Sequence, residues 1–144
     1  DTIQGMVMSR IDRLPGNLKE ILQAASVIGP VFKYELLKQV VDDAQLEDSL
    51  QRLAEMDMLF ESKSFPEIEY SFKSILIQEA AYSCLLLRNQ RELHRVITGA
   101  IEGLYHDRLE DHYEVLAMHY HRAQDFAKAY EYSVKSGMKA KKIL

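Results

Sequence analysis

One change of residue period constrains the fold of this chain more than any other feature. Across residues 59–72 apolar and polar side chains alternate, with a proline-containing turn at residues 65–67. A period of two is typical of β-strands, so the pattern predicts a short antiparallel hairpin with Ile68, Tyr70 and Phe72 on one face. No other segment shows this alternation, and no other strand is expected.

Apolar residues recur at helical spacing on both sides of this hairpin. Helices are predicted at residues 3–14, 18–28, 33–41, 44–56 and 75–87. A lone hairpin is only marginally stable, so it must pack against these helices. Three helices, a two-stranded ribbon and a closing helix are the elements of a winged-helix domain, which is predicted at residues 15–87.

Capping residues and composition add further expectations for this region. Asn17 is expected to cap the second helix, and Asp42 with Asp43 to cap the fourth, where carboxylates meet the positive end of the helix dipole.

The single cysteine, Cys84, lies in an apolar helical run. It is expected to be a small core residue on the inward face of its helix, which fits a reducing, cytoplasmic location.

The last part of the chain is helical throughout. Helices are predicted at residues 88–105, at 109–122, and from 126 to the end, and the short turns between them favour antiparallel neighbours. Five residues follow much of the spacing of a tetratricopeptide unit: Leu116, Ala117, Tyr120, Ala129 and Tyr132. Ser133 and Ser136 depart from that motif. The prediction is therefore a mainly α chain in which tetratricopeptide-like helical hairpins at residues 88–144 follow the winged helix.

Charge bears on the alternative that this winged helix is a DNA-binding regulator. The helix at residues 44–56 would enter the major groove, and it carries Glu47, Asp48 and Glu55 against one arginine, Arg52. The whole chain has a net charge of −4 and a pI near 5.7. Because phosphate binding needs clustered cations, no nucleic-acid partner is expected. No membrane span or signal segment is predicted either, since no long uninterrupted apolar stretch occurs.

The sequence also contains no motif that indicates catalysis or metal binding. A zinc site on one helix needs two ligands three or four residues apart, and no two of the histidines have that spacing: His94, His106, His112, His119 and His121. The chain has no glycine-rich phosphate loop and no Gly-x-Ser-x-Gly motif. We therefore expect no catalytic residue, no metal and no cofactor.

Two groups of side chains are candidates for a protein-binding surface. Arg88, Arg91 and Arg95 form a basic edge on one helix, although pairing with neighbouring carboxylates such as Glu92 would also explain them. Tyrosines cluster near the C-terminus, where they either fill gaps between helices or contact a partner. The candidate surface residues are Arg88, Arg91, Arg95, Tyr113, Tyr120 and Tyr130.

Several blocks of sequence, in order along nearly the whole chain, resemble a known family. They include Leu22-Gln23-Ala24-Ala25-Ser26-Val27-Ile28-Gly29, Tyr70-Ser71-Phe72-Lys73-Ser74 with Gln78-Glu79-Ala80-Ala81-Tyr82, Leu93-His94, and Leu116-Ala117 with His119-Tyr120. The resemblance is to bacterial signal-transduction ATPases of the AAA-related STAND class. Some of these proteins join a class III adenylate or guanylate cyclase, or a transcription-regulator domain, to an ATPase and tetratricopeptide repeats.

The resemblance implies a non-catalytic relay between an ATPase core and a repeat array. Residues 1–14 would be the last helix of the ATPase lid, and the parent would be an ATPase and possibly a nucleotide cyclase. The start at Asp1 rather than Met, and the end at Leu144 within a helix, fit a segment of a longer protein. Partners would be the parent's other domains and a protein bound by the repeats. The family's nucleotide-sensing histidine is replaced here by Ser74, which can donate one hydrogen bond but carries no charge.

Overall fold

Eight α-helices and three short strands make up most of residues 2–143, the part of the chain that the computed structural model describes. The protein is mainly α, as the sequence predicts. It divides into two compact units, Asp1–Leu86 and Leu87–Leu144. Each unit has its own buried core. Among the described residues, no helix is both long enough and apolar enough to cross a membrane.

The N-terminal unit combines five helices with an antiparallel sheet. Its elements are α1 (Ile3–Asp12), α2 (Gly16–Ile28), β1 (Val31–Lys33), α3 (Tyr34–Val40), α4 (Leu46–Glu55), β2 (Leu59–Lys63), β3 (Glu69–Phe72) and α5 (Ile75–Ser83). Helix α1 packs against α5 within this unit. Leucines at helical spacing bury the inner faces of α2, α3 and α4, and each buried leucine stabilises the fold by about 1.5–3 kcal/mol. Leu18, Leu22, Leu37, Leu50 and Leu53 are fully buried.

The sheet confirms the predicted hairpin and adds a strand that the sequence did not predict. Strands β2 and β3 pair antiparallel, and β1 pairs with the other edge of β3, which gives the order β1-β3-β2. The expectation of no further strand was wrong because β1 has three residues, too few to show alternation. Phe32 of β1 lies opposite Tyr70, with its ring stacked 6.0 Å from the tyrosine ring.

The predicted inner face of the hairpin needs one correction. Phe72 is buried and Tyr70 half-buried, whereas Ile68 is 40% exposed and precedes β3. The main-chain carbonyl of Ile68 accepts a hydrogen bond from the Tyr34 N–H at 2.9 Å. Ile68 therefore contributes through this backbone hydrogen bond, which anchors the start of α3.

Two capping predictions were wrong. Asn17 lies inside α2, which begins at Gly16 after Pro15, because proline's fixed φ already suits the entry to a helix. Asp43 does not cap α4, whose N-cap residue is Gln45. The Asp43 carboxylate instead accepts hydrogen bonds from the Gln45 N–H at 2.8 Å and the Ser49 hydroxyl at 3.0 Å. It thus orders the turn ahead of the helix.

The closing helix is shorter than predicted. Helix α5 ends at Ser83, and Cys84 is its C-cap residue. The thiol is half-buried rather than on the inward face of a continuing helix. Burial, with a smaller contribution from Asp12, raises the pKa of the Cys84 thiol. The thiol is therefore less ready to ionise than an exposed cysteine.

The C-terminal unit is a helical array. It contains α6 (Leu87–Leu104), a 3-10 segment (His106–His112), α7 (Tyr113–Arg122) and α8 (Phe126–Ile143). Helix α7 was predicted to start at residue 109, four residues earlier. The preceding segment is instead a 3-10 helix in which the backbone of Arg108 is not helical. A tight turn with Gln124 at φ 66° joins α7 to α8, and the Asp125 carboxylate accepts from the Lys128 N–H at 3.2 Å. Ile97, Ile101, Leu116, Ala129 and Tyr132 form its core.

Candidate partner-binding surface

Two buried histidines lie at the centre of the C-terminal unit. His94 of α6 and His119 of α7 are 0% and 1% exposed, and their Nδ1 atoms are 2.8 Å apart. One ring must donate and the other accept, so the accepting ring is neutral when this bond forms. Burial and the nearby Arg122 lower the pKa of His94 to about 4. Burial, His94 and Arg122 lower that of His119 to about 3.

Sequence reasoning missed this pair. It tested histidines for metal-ligand spacing along one helix, whereas these two lie 25 positions apart on neighbouring helices. A signal was present, because His94 falls on the same face as Ile97 and Ile101. Among the described residues, no group of three or more His, Cys, Asp or Glu side chains is arranged to hold a metal ion.

A carboxylate links the three helices of this unit. Glu102 of α6 accepts hydrogen bonds from the Tyr120 hydroxyl at 2.9 Å and the Tyr132 hydroxyl at 2.6 Å. The two tyrosine rings stack with centroids 5.7 Å apart. Burial, and then the bond to Glu102, raises the pKa of Tyr120 to about 12, and the pKa of Tyr132 rises for the same reasons. Both phenols therefore act as neutral donors.

Tyr120 was predicted to lie on a partner-binding surface, but it does not. Its side chain is 8% exposed and its hydroxyl is occupied by Glu102, so it belongs to the core. Tyr113 is half-buried, its ring lying 5.9 Å from the Tyr132 ring centroid and 5.9 Å from the Lys135 ammonium. Tyr130, at 72% exposed, is the member of the tyrosine set that is open to a partner.

Tyr130 borders a groove of about 570 Å³ between α7 and α8. The groove is lined by Ala117, Met118, His121, Arg122, Phe126, Ala129, Tyr130 and Ser133. The His121 ring meets the Phe126 ring edge to face, with centroids 5.4 Å apart. This contact positions Phe126, which is 58% exposed, at one end of the groove.

The three arginines of the predicted basic edge are all exposed on α6. Arg95 forms a bidentate pair with Glu92, its Nε donating to the carboxylate at 3.0 Å. The sequence alternative was pairing of Arg88 or Arg91 with Glu92 and nearby carboxylates, whereas the structure pairs Glu92 with Arg95. Arg88 and Arg91 remain exposed on the same helix, so they are the part of this edge that stays available.

Ser74 has a structural role in the N-terminal unit. It is the N-cap residue of α5, and its hydroxyl accepts a hydrogen bond from the Ile77 N–H at 3.4 Å. The side chain is otherwise exposed. Serine is a favoured N-cap residue, so helix capping explains its presence without any nucleotide.

Comparisons with known proteins leave the family of this chain open. No family model matches it, and no solved structure matches it. An uncharacterised protein of Rhizobium meliloti (strain 1021) is 28% identical over 101 residues, which is 68% of this chain. The matched segment covers only 10% of the length of that relative.

Proposed function

We propose that this chain is a non-catalytic regulatory and scaffolding segment of a multidomain signalling ATPase. The N-terminal unit would be a winged-helix relay that follows the ATPase lid. The C-terminal unit would begin a tetratricopeptide-like array that binds a protein partner. Both would act in the cytoplasm.

The order of elements supports the winged-helix part of the proposal. Strand β1 lies between α2 and α3, and the sheet order β1-β3-β2 puts the hairpin's second strand in the middle. A helix, a strand, two helices and a hairpin form a winged helix in this order. The strand that the sequence did not predict therefore supports the winged-helix proposal.

The C-terminal unit and the relative found in Rhizobium meliloti support the other part. Leu116 and Tyr120 of α7 are buried with Ala129 and Tyr132 of α8, at the spacing that first suggested a tetratricopeptide-like hairpin. The matched segment is about a tenth of the relative's length. A similar segment thus occurs within a far longer protein, as a relay between other domains would.

The observation that carries the proposal is the charge on the outer face of α4. Glu47, Asp48, Glu55 and a single cation, Arg52, are exposed there, while Leu46, Leu50 and Leu53 face the core. A helix that enters the major groove would set these carboxylates against phosphates. The face suits contact with protein, and it disfavours the alternative role of a DNA-binding regulator.

The test is duplex binding by the whole chain, measured by fluorescence anisotropy at low salt. We expect no salt-dependent binding. A triple variant, E47K/D48K/E55K, replaces three exposed carboxylates and should gain weak, salt-sensitive binding, which shows that the assay can detect the interaction. Binding by the unmodified chain that weakens steeply with salt would refute the proposal in favour of DNA recognition.

A further inference from the structure

Polar side chains follow the core face of α6. His94, Thr98 and Glu102 recur every four residues, so they form one polar row along the helix. His94 and Thr98 are fully buried, and Glu102 is half-buried. The Thr98 hydroxyl donates to the Arg95 carbonyl of its own helix, whereas His94 and Glu102 bond to side chains of other helices. The bonds at the two ends of the row therefore depend on where α6 lies along its neighbours.

Each end of the polar row has its own partners. At one end, the Nδ1 atoms of His94 and of His119 on α7 are 2.8 Å apart. At the other end, Glu102 accepts from the hydroxyls of Tyr120 at 2.9 Å and Tyr132 at 2.6 Å. A carboxylate only accepts hydrogen bonds, whereas a neutral imidazole donates one as well, so the two ends are not interchangeable.

An apolar row runs beside the polar row and distinguishes positions less sharply. Leu93, Ile97, Ile101 and Tyr105 also recur every four residues, and the two isoleucines are fully buried. A slide of α6 by one turn, about 5.4 Å, would put Leu93 where Ile97 lies and Ile97 where Ile101 lies. Apolar residues of similar size exchange at small cost. Apolar burial alone would therefore leave two registers of α6 with similar free energy.

The same slide would break the contacts at both ends of the polar row. Thr98 would take the place of Glu102, and the two phenols would lose their charged acceptor. Gln90 would take the place of His94 beside His119. The loss of two bonds to a carboxylate alone would disfavour the slipped register about a hundredfold. Buried polar groups can fix the register of packed helices in this way, at a cost in stability relative to apolar residues.

We infer that His94 and Glu102, with His119, Tyr120 and Tyr132, form a register lock that holds α6 in one position against α7 and α8. The lock gives the surface formed by these helices a single geometry. It acts within the C-terminal unit, so it goes beyond the proposed function and holds whether or not the parent protein is an ATPase.

The test removes both ends of the lock without leaving a buried partner unpaired. An unlocked variant replaces every bonding side chain with an apolar one: His94→Leu, His119→Leu, Glu102→Leu, Tyr120→Phe and Tyr132→Phe. Because both members of each bond are replaced, the whole chain should still fold, and amide protection in α7 and α8 should stay within about tenfold of the parent chain.

Distances between spin labels on α6 and α7 measure the register. Nitroxides are attached at Arg88→Cys and Glu114→Cys, two exposed positions, in a Cys84→Ser background. Double electron–electron resonance should give one narrow distance for the parent chain. The unlocked variant should give at least two, separated by up to about 5 Å, the length of one helical turn. Glu92→Ala with Arg95→Ala is the matched control, since it removes an exposed polar pair of the same helix and should leave one distance.

Three results would overturn the inference. A single, unchanged distance in the unlocked variant would show that apolar packing is enough to fix the register. Loss of protection by more than a hundredfold, or failure to fold, would show that the polar contacts hold the unit together rather than select its register. A second distance in the control variant would show that the register responds to exposed side chains as well.

Discussion

Replacing Glu102 with leucine should loosen the C-terminal unit selectively. The carboxylate accepts hydroxyl hydrogen bonds from Tyr120 and Tyr132 at 2.9 and 2.6 Å, and so joins α6 to both α7 and α8. Leucine is similar in length but accepts neither bond. Both phenols are almost fully buried, at 8% and 3% exposed, so their hydroxyls would lose their partner where water has little access.

The magnitude follows from two bonds to a charged acceptor. Each such bond contributes about 1.5–3 kcal/mol, and the partial exposure of Glu102 favours the lower value. The expected loss is therefore about 3 kcal/mol. Native-state hydrogen exchange measures it directly, because amide protection reports local opening. Protection in α6, α7 and α8 should fall about a hundredfold.

A matched variant and a double-mutant cycle separate the loss of these two hydrogen bonds from other effects of the substitution. Glu114→Leu removes an exposed carboxylate of α7 and should leave protection unchanged. In a Y120F/Y132F background, Glu102→Leu should cost less than about 1 kcal/mol, because no hydroxyl is left unpaired. An equal loss in both backgrounds would show that Glu102 stabilises the unit by some means other than these bonds.

Three further predictions concern a histidine pair and two polar side chains. The pKa values of His94 and His119 lie below the ordinary 6.5, so their stabilisation is complete above pH 6.5 and is lost as pH falls toward 4 and 3. Each ring adds about 1.4 kcal/mol per pH unit to this loss, which hydrogen exchange in α6 and α7 at pH 7 and pH 5 would measure. His119→Leu should remove the contribution of one ring and leave that of His94. Ser74→Ala should destabilise the start of α5 by about 0.5–1 kcal/mol in urea denaturation, while Ser74→Asp should restore it. Asp43→Ala should cost about 1 kcal/mol by the same assay, since the Gln45 N–H and the Ser49 hydroxyl lose their acceptor.

Each of these predictions has a result that would contradict it. An acid dependence of unchanged size in the His119→Leu variant would show that His119 does not contribute to it. An unchanged midpoint for Ser74→Ala would mean that the 3.4 Å bond to Ile77 contributes nothing. An unchanged midpoint for Asp43→Ala would show that the turn before α4 is held by other contacts.

Local periodicity predicted the fold where elements are long enough to show it. Residues 59–72 alternate and form the hairpin, and the repeated leucines of α2 and α4 face the core as expected. Strand β1 has three residues, and only its pairing with β3 makes it a strand. Long-range pairing of this kind leaves little trace in a short segment, so the sequence could not predict it.

The candidate surface was predicted only in part, because burial depends on contacts between distant helices. Tyr120 and Tyr130 look alike in sequence, yet one donates to a carboxylate 18 positions away while the other is 72% exposed. His94 and His119 likewise meet only when α6 packs against α7. Arg122 and the groove that it lines drew no attention in the sequence, since the groove exists only once α7 has packed against α8.

The central claim is that this chain works through contacts with proteins and does not itself bind nucleotide. Calorimetric titration of Mg-ATP into the whole chain tests it most directly, with the Ser74→Ala variant measured in parallel. The account predicts heats equal to those of dilution for the unmodified chain. Saturable binding near one ATP per chain would contradict it, and loss of that binding in Ser74→Ala would assign nucleotide contact to the residue that here caps α5.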